Sequence, residues 1–221
     1  MAALCTLQAQ RRGGRIMAKE LYIIRHGQTD FNLQGIVQGQ GMDTDLNELG
    51  RKQADAFFKA YRNEGFDFVY TSRLKRTHQT VAPFIDNLNL PTKAMYAFDE
   101  FNWGIFEGTK FGQFNAEYRA LIAAWVSGDY AAAPLLGDAP QNVAIRQQRG
   151  IDHIMHNPAQ KILLCMHGRA MRLFLCVLLG RPFSEMEHFE HDNLSLYKLA
   201  LHPRGNTLLL RNDRSHLQLL A

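Results

Sequence analysis

Apolar positions along this chain fall into two periods. Residues 21–24 form a short β-rich apolar run, followed by a polar, glycine-containing stretch through Gly41 that reads as loop. Over residues 47–61 the apolar side chains Leu49, Ala54, Phe57, Phe58 and Tyr61 recur at helical spacing. Residues 66–70 read as a second strand and 72–88 as a second helix, broken at Asn89-Leu90-Pro91. Helical patterns return at 113–126 and 142–156. Residues 162–166 read as a third buried strand and 171–179 as an almost wholly apolar helix. Two further runs, 194–201 and 207–211, flank His202-Pro203-Arg204-Gly205-Asn206 and read as a terminal hairpin.

Strands alternating with helices predict an α/β domain, a three-layer α/β/α arrangement around a mostly parallel central sheet. In such sheets a ligand sits beyond the carboxyl ends of the strands. Three of the predicted strands end there in polar residues: Arg25-His26-Gly27, Thr71-Ser72-Arg73 and His167-Gly168-Arg169. Neighbouring strands would therefore gather Arg25, His26, one or more of Arg73, Lys75 and Arg76, and His167. Such a cluster is costly unless an anion sits within it. A phosphoryl group fits, because arginine forks match its oxygens two at a time.

Composition narrows the choice of anion. The formal charge is +4, but Arg11, Arg12, Arg15 and Lys19 lie where there are no acids, and from Glu20 onward 21 basic residues face 21 acidic ones. A basic stripe for nucleic acid is unsupported. Residues 1–18 lack the apolar stretch of a secretory signal or a membrane span and read as a disordered or added extension, with Met17 a candidate start. The domain is expected over 19–221. Cys5, Cys165 and Cys176 are odd in number, and the last two lie in apolar segments, which fits a reduced, cytoplasmic protein.

Several motifs in order make the chain resemble the histidine phosphatase superfamily, with its phosphoglycerate mutase-like fold, over residues 21–201. They are Arg25-His26-Gly27-Gln28-Thr29 with Asn32; Asp43, Leu46 and Gly50; residues 72–80; Glu100 with Gly104, Glu107 and Gly108; and His167-Gly168. The resemblance implies that His26 is a nucleophile forming a phosphohistidine, and that Arg25, Arg76 and His167 grip the phosphoryl oxygens. It implies further that Asn32 adds an amide donor and that Glu100 is the general acid. Glu107 is a weaker candidate acid whose ordinary reading is to hold the backbone before Gly108. Arg73 falls where relatives often carry proline or aspartate, and reads as a surface or pocket-rim residue rather than a ligand.

The interval from Gly108 to His167 is short and lacks the arginine pair and proline run of cofactor-dependent mutases. This favours a bacterial phosphatase-type member: a metal-independent phosphomonoester hydrolase acting on a small phosphorylated metabolite, with no cofactor. A mutase and a non-catalytic phosphate-binding domain are the alternatives. Two positions depart from relatives. Gly137-Asp138-Ala139-Pro140 replaces a common Gly-Glu-Ser, and Arg169 replaces a small or amide residue. Arg169 is expected either to offer a cation to the phosphate or to an acidic leaving group, or to face solvent at the start of its helix. Of the aromatics, Phe101 to Phe106 are expected near the mouth of the pocket, with Phe101 and Gly168 touching substrate. His153 with His156, and His188 with His191, have ligand-like spacing but no evident third ligand, so they are read as solvated or core histidines. His216 is given no chemistry.

Overall fold

The computed structural model describes residues 18–220, so the extension assigned to residues 1–18 lies, but for Ala18, outside the described residues, as does Cys5. Six strands form one sheet: β1 (Lys19–Arg25), β2 (Phe68–Thr71), β3 (Thr92–Ala94), β4 (Lys161–Met166), β5 (Leu196–Leu201) and β6 (Thr207–Asp213). Their order is β3-β2-β4-β1-β5-β6, with β1 to β4 mutually parallel, β5 antiparallel to β1, and β6 antiparallel to β5 at the edge. The helices are α1 (Asp30–Leu33), α2 (Glu48–Tyr61), α3 (Lys75–Leu88), α4 (Asn115–Val126), α5 (Pro140–His156) and α6 (Gly168–Leu179).

Both sheet faces are apolar, because successive strand residues point to opposite sides. Tyr22, Ile24, Leu163 and Cys165 pack with Phe57 of α2 and Val81 and Phe84 of α3. Leu21, Ile23, Ile162 and Leu164 pack with Ile151 and Ile154 of α5 and Met171 and Phe174 of α6. The three-layer expectation is met. Cys165 and Cys176 are buried and unpaired. No helix among the described residues is long and apolar enough to cross a membrane.

Differences from the sequence reading lie at edges and ends. Strand β3 is exposed at all three residues, so it carries no apolar signal, and it forms by pairing with β2 at the sheet margin. The second strand starts at Phe68 rather than Phe66, and Phe66 instead enters the core just ahead of it. Helix α1 is a single turn inside the expected loop, held by a capping box between Thr29 and Asn32. Helix α5 begins two residues early at Pro140, where the fixed φ of proline suits a first helical position.

The N-cap of α5 is Ala139, extended at φ −87° and ψ 146° and offering no side-chain acceptor. Ala139→Ser is therefore expected to stabilise the protein by about 1 kcal/mol. Thermal unfolding should show Tm rising by roughly 2–4 °C.

Candidate active site

Strands β1 and β4 are adjacent and in register, Arg25 opposite Met166, so the residues that follow them meet beyond the sheet. The His26 N–H donates to Met166 O at 3.0 Å, and the His26 and His167 rings lie 5.2 Å apart. His26 is buried. Its Nδ1–H donates to Gly27 O at 2.8 Å, which fixes the tautomer and leaves the Nε2 lone pair free. Burial, then the charges of Arg76 and Arg25, hold its pKa well below the usual histidine range, so the ring is neutral near pH 7. Arg25 has a buried Nε with no partner, while its Nη1 lies 3.3 Å from His191 Nδ1. Asn32 Oδ1 accepts from Thr29 N and Asn193 Nδ2, at 3.2 and 3.1 Å, which turns its own amide N–H groups outward as donors.

Arg76, at the start of α3, is fully buried. Its guanidinium donates to Met42 O at 2.6 Å, to Gly39 O at 3.3 Å and, through Nε, to His167 Nδ1 at 3.2 Å. Burial lowers its pKa to about 10, which still leaves it charged at neutral pH. A His167 ring that accepts at Nδ1 must carry its proton on Nε2, and Nε2 lies 2.8 Å from Ser72 Oγ. Ser72 thus orients the ring, a role its sequence position did not reveal. Both His167 nitrogens are engaged within the protein, so its hold on Arg76 is explicit in this state.

Glu100 is buried beside the start of α6. Its Oε1 accepts from Phe101 N at 3.0 Å and Ala170 N at 2.8 Å, and its Oε2 from Arg169 N at 3.1 Å. A carboxylate at a helix N-terminus takes up unpaired N–H groups there and meets the positive end of the helix dipole. Arg146 braces the same segment from behind, donating to Glu100 O at 2.8 Å. Glu107 holds backbone, accepting from Trp103 N at 3.0 Å and Gly41 N at 3.4 Å, which agrees with its ordinary reading. Arg73 is half-exposed at the surface and paired at 2.7 Å with the buried Asp99.

One expected substrate contact is corrected. The Phe101 side chain is fully buried, stacked on Trp103 and tilted against Trp125, both with ring centroids 5.8 Å away, and does not line the cavity. Trp103, two residues further along the loop, reaches the cavity instead.

A family model for the histidine phosphatase superfamily, branch 1, matches residues 21–214. The chain belongs to the histidine phosphatase superfamily. It is 27% identical over 199 residues to phosphoserine phosphatase 1 of Hydrogenobacter thermophilus, covering 90% of this chain and 94% of that one. The solved structure of a mycobacterial glucosyl-3-phosphoglycerate phosphatase with VO3 superposes at TM-score 0.80 and 27% identity, over 89% of this chain and all of that one. The alpha-ribazole phosphatase of Shigella flexneri superposes at 0.77 and 26% identity, over 88% and 96% of the two chains.

Against this family background, His191 is the site residue that the sequence reading set aside. The pair it formed with His188 by spacing is not a pair in space: His188 is exposed, whereas His191 lines the cavity beside Arg25. Gly168 makes this possible, since a Cβ there would lie 2.5 Å from the His191 ring. His153 bonds Tyr70 and Lys93, both at 2.8 Å, and His216 packs edge-on against Phe57 and Tyr61. Asp138 accepts from Asn102 N at 2.9 Å, so the departure at 137–140 ties down the loop that follows Glu100.

The site's histidines also set an acid limit on the fold. Burial lowers His26 and His167 well below 6.5 and takes His191 to about 2. Unfolded, each binds a proton near pH 6.5; folded, each does not. Stability is therefore full above about pH 6.5 and falls as pH drops, by up to about 1.4 kcal/mol per pH unit for each ring that stays neutral. Denaturant melts at pH 7.5, 6.0 and 5.0 should show this slope, and a flat profile would refute it.

Proposed function

We propose that this superfamily member hydrolyses small phosphomonoesters through a phosphohistidine on His26, without a metal. Fold, family and site together make it a phosphomonoester hydrolase of the histidine phosphatase type. The observation that carries the mechanism is the His26 ring: neutral, anchored at Nδ1, with Nε2 free among arginines.

In the first step Nε2 attacks phosphorus and the bond to the leaving oxygen breaks. Arg25 and the Asn32 amide, which line the cavity, meet the charge spread over the phosphoryl oxygens. Arg76 adds positive charge behind them. Glu100 gives a proton to the leaving oxygen. Both lone pairs of Oε1 are taken by N–H groups and Oε2 holds only one, so Oε2 carries the transferable proton. In the second step Glu100 takes a proton from water as its oxygen attacks phosphorus, the N–P bond breaks, and phosphate leaves.

Neutralisation by arginine takes the part a metal plays elsewhere, so turnover of an aryl phosphate should survive a chelator. The decisive assay follows inorganic phosphate release from aryl phosphates, phosphoserine, phosphoglycerates and sugar phosphates. With 3-phosphoglycerate, release of phosphate and not formation of 2-phosphoglycerate is the expected product. No phosphate release from any of these by folded protein would overturn the reading.

A further inference from the structure

Phosphoryl transfer accounts for Arg25, His26, Asn32 and Glu100 among the residues lining the cavity; two further arginines there are not accounted for. The whole cavity measures about 250 Å³, and the two are Arg169 and Arg172 of α6. Three residues apart on a helix, they share a face. Glu187 bridges them, Oε1 to Arg169 Nη1 and Oε2 to Arg172 Nη1. Arg169 is held further by Tyr118, whose hydroxyl accepts from Nη2 at 2.9 Å, and by the Trp103 and Trp125 rings at 5.9 and 5.8 Å. The Nε of Arg172 is buried and has no partner.

This arrangement is expensive without a ligand. A cation in the first turn of α6 opposes the helix dipole. The cavity lining holds Arg25, Arg169 and Arg172 against a single carboxylate, Glu100, and its histidines are neutral. Arg25 and Arg76 already match a phosphoryl dianion. Arg169 and Arg172, only half neutralised by Glu187, have no task in phosphoryl transfer.

We propose that Arg169 and Arg172 form a carboxylate subsite, so that the preferred substrates are small phosphomonoesters whose leaving alcohol bears a carboxylate. This rests on the hydrolase reading above and names the substrate class for it. Glu187 is the internal precedent: one carboxylate already spans both guanidinium groups, one oxygen to each. A substrate carboxylate takes remaining N–H groups of the two guanidinium groups that line the cavity, while Glu187 holds both through their Nη1 atoms. The cavity is smaller than the roughly 300–1,000 Å³ typical of drug-sized ligands, which limits the leaving group to a few heavy atoms.

The test compares 3-phosphoglycerate and phosphoserine with glycerol 3-phosphate and phosphoethanolamine, by kcat/KM and by calorimetric binding. A charge-assisted hydrogen bond should give the carboxylates an advantage of about tenfold or more. Arg169→Ala should raise KM for the carboxylates about tenfold, several times more than for glycerol 3-phosphate, with Arg169→Lys intermediate. Glu187→Gln should act in the opposite direction, lowering KM for the carboxylates about threefold by removing the competing charge. A purely structural bridge predicts instead that both variants impair all substrates alike, and that outcome overturns the subsite. So does equal use of 3-phosphoglycerate and glycerol 3-phosphate, or tenfold tighter binding of a bisphosphate than of 3-phosphoglycerate. Selective carboxylate binding without phosphate release would sink the hydrolase reading and leave the subsite standing.

Discussion

His26→Ala should lower kcat by a factor on the order of 10⁴ or more on every phosphomonoester the enzyme accepts, because it removes the attacking atom itself. The fold should tolerate the change. His26 makes one side-chain hydrogen bond, to the adjacent Gly27 O, and the backbone bond from its N–H to Met166 O survives the substitution. Loss of a ring held neutral against its own preference also relieves the acid penalty, so the variant should resist low pH slightly better than the native protein. Rapid quenching of native enzyme during turnover should yield an acid-labile, base-stable phosphoryl label that His26→Ala lacks. If the variant kept more than about a tenth of the native rate, a direct attack by water would have to replace the covalent route.

That prediction was legible in the sequence for a physical reason. Parallel strands with buried faces leave long apolar runs, and polar residues at their carboxyl ends converge only if the strands are neighbours. Here β2, β4 and β1 are consecutive in the sheet, so Arg25, His26, Arg76 and His167 meet. The parts that were not legible depend on how loops turn. His188 and His191 have the spacing of a pair, yet the backbone between them leaves one in solvent and carries the other to Arg25. Phe101 and Trp103 are equally aromatic, and only the loop geometry decides which reaches the cavity. Ser72 acts on the ring of a residue 95 positions away, which local pattern does not encode. Strand β3 lacks an apolar face because it lies at the margin, where nothing needs to be buried. Arg169 stood out as an odd residue, but its meaning came from Glu187, Tyr118 and Arg172, which gather around it only in the fold.

Glu100→Gln should separate the two chemical steps. As general acid, Glu100 matters most when the leaving oxygen is a poor leaving group, so alkyl phosphates should lose about 10²- to 10⁴-fold in kcat/KM. A nitrophenyl phosphate, whose leaving oxygen needs little help, should lose far less in the first step. The second step still needs Glu100 to take a proton from water, so the phosphoenzyme should accumulate and nitrophenol should appear in a burst matching the enzyme concentration. The glutamine also brings a structural cost. Three N–H groups, of Phe101, Arg169 and Ala170, point at two carboxylate oxygens, and an amide offers only one oxygen to them. Leaving one such donor unmatched should cost about 1–3 kcal/mol of stability, a loss felt equally with every substrate. Only the dependence on leaving group, together with the burst, distinguishes proton transfer from loosening at the start of α6. A uniform loss across alkyl and aryl phosphates, with no burst, would assign the acid role elsewhere. Glu107 would not then inherit it, because its carboxylate is engaged by the backbone of Trp103 and Gly41.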